Sequence, residues 1–530
     1  MGHGIHQPNL KDLAKLHLKN CQISCFRHTF GKITIVNLPK LEIFINFWQN
    51  RFIFKPGFYS MKNIIGRIKE QKKFRQILDS KQSEFVAVCG RRRVGKTYMI
   101  RQFFEKSIVF QLSGLSNRPT AEQLKNFTQT LSLYTGKDEE QSEDWLDAFY
   151  KLEKYLLSLK DGRKVVFLDE LPWLDTPNSN FIAGLEHFWN GWASARKDII
   201  LVVCGSSTSW MMDTLINNHG GLHNRITHQF LLQPFSLQET EEMLQAKGFR
   251  LSRYEIAECY MVMGGIPFYI DLLDSTKSLA QNIDELFFDP VGIMHNEFNN
   301  LYAALFRNSD DYVRVVQVLS SCNQGLTRND IVKKSGLKSG NALTTILRNL
   351  EYCGFIRSYT NYAYAKKDTL YQLIDFYTLF YFRFIHGKGF RDIKYWSSIQ
   401  STPEFYTWAG ISFEGLCLQH IEQIKKSLGI SGVLANVYAW RSRKTSGGAQ
   451  IDLVIDRNDQ TINLCEMKFS KGRFVIDKKY ANELQNKILT FETEIKSNKS
   501  IQLTFVTSNG IEHNANSKIV TNEILMEELF

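Results

Sequence analysis

The sequence predicts an α/β chain in which a parallel sheet covered by helices is followed by a helical segment with a hairpin and by a small C-terminal α/β unit. Three observations carry this. Short apolar runs alternate with helical stretches between residues 69 and 232, the pattern of strands joined by crossover helices and therefore paired in parallel. A glycine-bounded loop, Gly90 to Thr97, separates the first apolar run from a helix. Beyond residue 310 three short helices replace the alternation, and beyond residue 405 a second set of strands begins.

In order, a helix is expected at 69–78, a strand at 85–89, a helix from Lys96, a strand-like run at 108–112, helical stretches to residue 160, and strands at 165–168, 199–204 and 229–232. Helices follow at 312–319, 327–334 and 341–352, then two hairpin strands at 355–360 and 362–366. Three helices and a hairpin make a winged helix-turn-helix pattern, which fits DNA contact and equally fits a linker or a protein-interaction module. The aromatic stretch 371–390 reads as core packed between domains. The last segment opens with a helix containing Glu414 and continues through strands at 450–455, 462–469 and 501–507.

At 530 residues the chain exceeds what one hydrophobic core usually organises, so about three domains are expected. With 43% hydrophobic and 22% charged residues, packed domains rather than disorder follow. The formal charge of +11 suits an anionic partner such as nucleic acid, through non-specific attraction. Nine scattered cysteines, several inside apolar runs (Cys89, Cys204, Cys465), read as reduced thiols of a cytoplasmic protein. Cys21, Cys25 and His28 lack a fourth partner at zinc-like spacing, so no metal is assigned there. The apolar stretch 41–54 is interrupted by Asn46, Gln49, Asn50 and Arg51 and falls short of the roughly 20 residues that span a bilayer, so no membrane partner is expected. Residues 1–60 lack clear periodicity, and functional structure is expected to begin near Met61.

Gly90-Arg91-Arg92-Arg93-Val94-Gly95-Lys96-Thr97 matches the phosphate-binding loop of nucleotide hydrolases. Its glycines let backbone N–H groups wrap phosphate oxygens at a helix N-terminus, Lys96 adds a point charge, and the Thr97 hydroxyl is placed to ligate Mg²⁺. Tyr98 completes the nucleotide-binding set. Val165-Val166-Phe167-Leu168-Asp169-Glu170 supplies the partner, a buried strand ending in two carboxylates where ligands of open α/β sheets lie. Asp169 is the candidate to hold magnesium through water, and Glu170 the candidate to polarise the attacking water. Ser206, after the 199–204 strand, is either a contact to the γ-phosphate or its water, or a helix cap. Arg225 is either an arginine finger or a surface arginine.

With these motifs residues 61–290 resemble the AAA+-like, signal-transduction-type ATPases of archaea and bacteria. Gly66-Arg67 with Glu70 looks like that family's adenine-side element, Gly205-Ser206-Ser207 like its sensor segment, and Gly264-Gly265-Ile266-Pro267 like the turn of its helical lid. The resemblance gives Gly66, Arg67 and Pro267 a nucleotide-facing role. ATP and Mg²⁺ are the cofactors it implies.

In the C-terminal segment, Gly448-Ala449-Gln450-Ile451-Asp452 followed by Glu466-Met467-Lys468 sets two carboxylates and an amine on one hairpin, with Glu466 and Lys468 on the same face. Such carboxylates can hold Mg²⁺ while a lysine steadies an attacking water, which suits phosphodiester cleavage; solvent-facing charges on an amphipathic hairpin give the same pattern. With Glu414 added, the set resembles the PD-(D/E)xK nuclease fold that many such ATPases carry. Glu414, Asp452 and Glu466 then stand as metal ligands and Glu466 with Lys468 as catalytic groups. Ile451 occupies the place of that motif's proline.

The expected division is an extension (1–60), a phosphate-loop ATPase core (61–235), a helical lid (236–308), a winged helix-turn-helix (309–370), an aromatic bridge (371–404) and a nuclease-like domain (405–530). The expected function is Mg²⁺-dependent ATP hydrolysis that regulates a DNA-binding or DNA-cleaving C-terminal half, with a protein partner or a homo-oligomer also compatible. The alternative is a non-catalytic nucleotide switch that binds a protein or DNA partner.

Overall fold

Strand β1 (Glu84–Cys89), β2 (Ile108–Ser113), β3 (Lys164–Asp169), β4 (Ile199–Gly205) and β5 (His228–Leu231) form one five-stranded sheet in the order β2-β3-β4-β1-β5, with every pairing parallel. The computed structural model describes residues 64–530 apart from 218–219, 223, 307, 361, 363–368, 390–391 and 443–447. The expectations for residues 1–60, for Cys21, Cys25 and His28, and for a start at Met61 therefore lie outside the described residues.

β1, β3 and β4 are buried along their whole length, because each face of the sheet has its own cover. Alternation sends Phe85, Ala87, Val166, Leu168, Leu201 and Val203 into one core, shared with helices α3 (Thr120–Thr135) and α4 (Trp145–Ser158). Val86, Val88, Phe167, Ile200 and Val202 enter the other, shared with α1 (Ile68–Asp79) and α2 (Lys96–Phe104). Phe74 of α1 meets the Phe230 ring edge-on at 4.5 Å. β4 lies between β1 and β3, so the ends of the loop strand, the acidic strand and the Ser206 strand stand side by side.

Two capping boxes start the next helices: Ser236 with Glu239 opens α5 (Leu237–Ala246), and Ser252 with Glu255 opens α6 (Arg253–Met263). Gly264 ends α6 in the left-handed region, and a Cβ on the next residue, Gly265, would stand 2.4 Å from the Phe235 carbonyl oxygen.

Helices α7 (Ser309–Ser320), α8 (Arg328–Ser335) and α9 (Asn341–Tyr352) accompany an antiparallel sheet ordered β6-β8-β7, built from β6 (Leu326–Thr327), β7 (Ile356–Tyr359) and β8 (Leu370–Leu373). The second hairpin strand thus differs from the expected 362–366. Tyr362 donates its N–H to the Ala439 carbonyl and rests its ring against Tyr438, while 363–368 lie outside the described residues. Within the aromatic stretch, Asp375 caps α10 (Phe376–Phe384), whose Phe376, Tyr377, Phe380 and Phe384 are buried.

Helix α11 (Pro403–Gln419) leads into a second sheet, ordered β13-β12-β11-β10-β9, from β9 (Ala435–Arg441), β10 (Gln450–Arg457), β11 (Thr461–Lys468), β12 (Ser500–Thr507) and β13 (Asn522–Leu525). β10 runs antiparallel to β9 and β11, and β11, β12 and β13 are parallel. Helix α12 (Lys478–Ile495) covers one face with Leu484 and Phe491. Immediately after α11, buried His420 accepts the Leu237 N–H on Nε2 at 3.2 Å, while its Nδ1 lies 2.8 Å from the Leu416 carbonyl, so the end of α11 caps the start of α5. The described cysteines are free, and all but Cys322 are buried. Among the described residues no helix is long and apolar enough to cross a membrane.

A buried carboxyl joins α6 to the residues after α10. Glu258 accepts from Trp396 Nε1 at 3.2 Å and from Gln400 Nε2 at 3.1 Å, and burial pushes it up to about 7 from an ordinary value of 4.5. The folded state therefore holds a proton that the unfolded chain releases, so this group's stabilisation is complete below about pH 4.5 and is lost as pH rises through about 7. Glu258→Gln keeps both acceptor bonds and removes the charge. Calorimetry should show its Tm raised by about 2–4 °C at pH 8 and little changed at pH 5; an equal gain at both would refute this account.

Candidate functional site

The loop between β1 and α2 has the backbone that its glycines permit. Gly90 has φ +145° and Gly95 φ +90°, and a Cβ at Gly90 would stand 2.5 Å from the Leu232 carbonyl oxygen. Lys96, buried at the first position of α2, donates to the Gly90 carbonyl at 2.7 Å, the Arg91 carbonyl at 2.9 Å and Ser206 Oγ at 3.2 Å. Thr97 Oγ1 donates to Asp169 at 3.0 Å, pairing the hydroxyl with the carboxylate expected to share a cation. The buried Cys204 thiol, pushed well up by burial and by Asp169, stays protonated and donates to the same carboxylate.

Glu170 takes the left-handed conformation, φ 49°, where β3 turns away from the sheet. Its carboxylate accepts from Ser206 N at 3.0 Å and from Ser206 Oγ at 2.5 Å. Ser206 thus touches both Lys96 and Glu170. Gly205 before it admits Pro172, whose Cδ would stand 2.7 Å from an added Cβ. Loop, lysine, Thr97–Asp169 pair and oriented Glu170 fit a nucleotide triphosphate with its magnesium: the loop and Lys96 would hold the phosphates, and Thr97 with Asp169 the cation.

The other expected residues are placed variously. Gly66, Arg67 and Glu70 line a cleft of about 720 Å³ that Gly264 also lines, whereas Pro267 is not among its walls and opens the short helix Pro267–Asp271. Arg67 donates to the Gln233 carbonyl at 2.6 Å and the Val94 carbonyl at 3.3 Å, and its backbone N–H to Glu239 at 2.7 Å, bracing the loop from behind. Arg93 pairs with Glu297 at 2.7 Å and lies over the Phe268 ring. Arg92 adds its positive charge to the field at Glu297. Tyr98 is half-exposed on α2. Arg225 is exposed in the turn at 221–225, outside the contacts that gather Lys96, Thr97, Asp169, Glu170 and Ser206. His223 of the same turn lies outside the described residues.

Arg91 points away from the phosphate side. Its buried guanidinium pairs with Asp375, the cap of α10, and lies 4.6 Å over the Phe355 ring. Burial opposes the charge, and Asp375 more than offsets it, so the guanidinium stays protonated. Its Nε and Nη2 have no hydrogen-bond partner among the described residues. Sequence reading missed Asp375 and Glu297 because each stands some 200 or more positions from the loop with no motif around it.

In the C-terminal sheet a register shift between Ile451 and Val454 surrounds Asp452, and the β10–β11 pairing sets Asp452 across from Glu466. Glu414 and Asp452 line a cleft of about 580 Å³ together with Arg357 and Tyr359 of β7 and Lys487 of α12. Burial and the Asp452 charge push Glu414 up to about 8, and burial raises Asp452. Glu466 is buried and accepts from Lys487 Nζ at 2.5 Å and Tyr480 OH at 3.0 Å, with Lys468 Nζ 3.6 Å away on the same face. The expectation of a metal on Glu414, Asp452 and Glu466 meets a different geometry: both Glu466 oxygens are already engaged, and no group of three or more His, Cys, Asp or Glu among the described residues is arranged to hold a metal. Tyr480 and Lys487, i and i+7 on one helix face, lacked any sequence signal.

Over 420 residues the chain is 24% identical to an uncharacterized protein of Methanocaldococcus jannaschii, covering 76% of this chain and 87% of that protein. Among solved structures it is similar to the Walker-type ATPase of Pyrococcus abyssi, at 18% identity and TM-score 0.46, over 61% of this chain and 97% of that one. It is also similar to the ORC2 protein of Aeropyrum pernix, at 12% identity and TM-score 0.41, over 62% and 95%. Residues 65–273 match the family of ATPase domains predominantly from Archaea. That segment contains the loop, Asp169, Glu170 and Ser206, so the phosphate-binding site lies wholly within the stretch that is similar to these ATPase domains.

Proposed function

We propose that the chain is a Mg²⁺-dependent ATPase whose nucleotide state governs a DNA-binding C-terminal half. The observation that carries the reading is Ser206 bonded at once to Lys96 and Glu170, beside the Thr97–Asp169 pair. When bound, magnesium supplies charge neutralisation between the phosphates. Lys96 and the loop amides hold the phosphoryl oxygens, and Glu170, aimed by Ser206, takes the proton of the attacking water. Arg225, exposed on its turn, suits contact with a neighbouring copy, and Tyr98 and Pro267 serve the nucleotide's outer side.

Support for governance comes from the loop arginines. Arg91 reaches Asp375 and Phe355, and Arg93 reaches Glu297, so the loop cannot shift without moving the helices beyond the sheet. The basic chain and the winged-helix pattern of α7 to β8 favour DNA as the partner, with the β9–β13 unit as a nuclease-like platform beside it.

Magnesium-dependent ATP turnover should vanish in Lys96→Ala. Glu170→Gln should keep ATP affinity and lower kcat by about 10²–10⁴-fold. Tight ATP binding by the native chain without turnover would replace this reading with that of a nucleotide switch. Asp375→Asn strands the buried Arg91 charge and should cost about 3–5 kcal/mol in denaturant unfolding. It should also level DNA affinity across ATP, ADP and no nucleotide; a difference between nucleotide states as large as that of the native chain would sink the coupling.

A further inference from the structure

We infer that Lys487 is the resident cation of the C-terminal carboxylate cleft and closes it to a divalent metal. The sequence pattern of Glu414, Asp452 and Glu466 calls for a hard cation, and an inner-sphere magnesium needs free carboxylate oxygens at about 2.0–2.1 Å. Both Glu466 oxygens are already engaged by donors that a metal would have to displace or share. One oxygen accepts from Lys487 Nζ at 2.5 Å, and the other accepts from Tyr480 OH at 3.0 Å with Lys468 Nζ at 3.6 Å. Lys487 also lines the cleft that Glu414 and Asp452 line, and its charge acts on both.

The arrangement is built into one rigid element. Helix α12 is capped by Asp477, which accepts from Tyr480 N at 2.7 Å, and it delivers Tyr480 and Lys487 two turns apart to the same carboxylate. Removal of Lys487 takes away the positive charge beside these acids and releases the Glu466 oxygen that its ammonium holds. In this state the cleft is a recognition surface and does not cut phosphodiesters with a metal.

Mn²⁺ titration of the full chain without nucleotide, followed by electron paramagnetic resonance, tests this, because a site belonging to the cleft is the one that Asp452→Asn removes. The native chain should show no Mn²⁺ site sensitive to Asp452→Asn. Lys487→Met should gain one, bound about tenfold or more tighter than any cleft binding by the native chain, and Lys487→Arg should gain none. A site in the native chain that Asp452→Asn abolishes would overturn the inference, as would a folded Lys487→Met chain without a new site. Should Lys487→Met fail to fold, the comparison of native chain with Asp452→Asn still decides whether the cleft is closed.

Discussion

The buried pair of Arg91 with Asp375 is the contact on which the arrangement of the chain turns. An arginine inside a phosphate-binding loop is ordinarily free to face solvent or ligand; here it faces inward, over Phe355, onto the cap of a helix far along the chain. Burying such a charge costs several kcal/mol unless it is well partnered, so the loop and the first turn of α10 are held in one relative position. Asp375 has further ties, accepting from Thr378 N at 3.0 Å and Thr378 Oγ1 at 2.5 Å. Phe376, the next residue, lies against Gly415 of α11, beside Glu414. A short run of packed groups therefore joins the phosphate-binding loop to the wall of the C-terminal cleft, and it is made of contacts with little room for adjustment.

Much of the first site was legible because its chemistry is local. Gly90 to Thr97 and Val165 to Glu170 are contiguous stretches in which residue type, spacing and strand context agree. The strands came out within a residue or two of expectation, since buried parallel strands leave long apolar runs. The edge strand β5 is mostly exposed, so its start at His228 left a weaker trace.

What the sequence did not carry is tertiary. Nothing near Asp375, Glu297, Tyr480 or Lys487 marks them, because their roles come from helices packing across long separations. The hairpin differs from expectation for a related reason: the strand that pairs with β7 is β8, at Leu370–Leu373, while Tyr362 gives its N–H to Ala439 of β9. In the C-terminal unit the pattern put Glu466 and Lys468 on one face, and there they stand 3.6 Å apart. It said nothing of the helix whose lysine bonds Glu466.

His420 bears on how the two halves part. Its ring is locked between the Leu237 N–H and the Leu416 carbonyl, so it is held as one neutral tautomer, and burial lowers its proton affinity below the ordinary 6.5. Near neutrality the joint between α11 and α5 is therefore silent to protons, unlike most histidines at a seam. Acid acts on it in one direction only: a proton on Nε2 removes the acceptor that caps α5, so the opened seam gains affinity for protons that the closed one refuses.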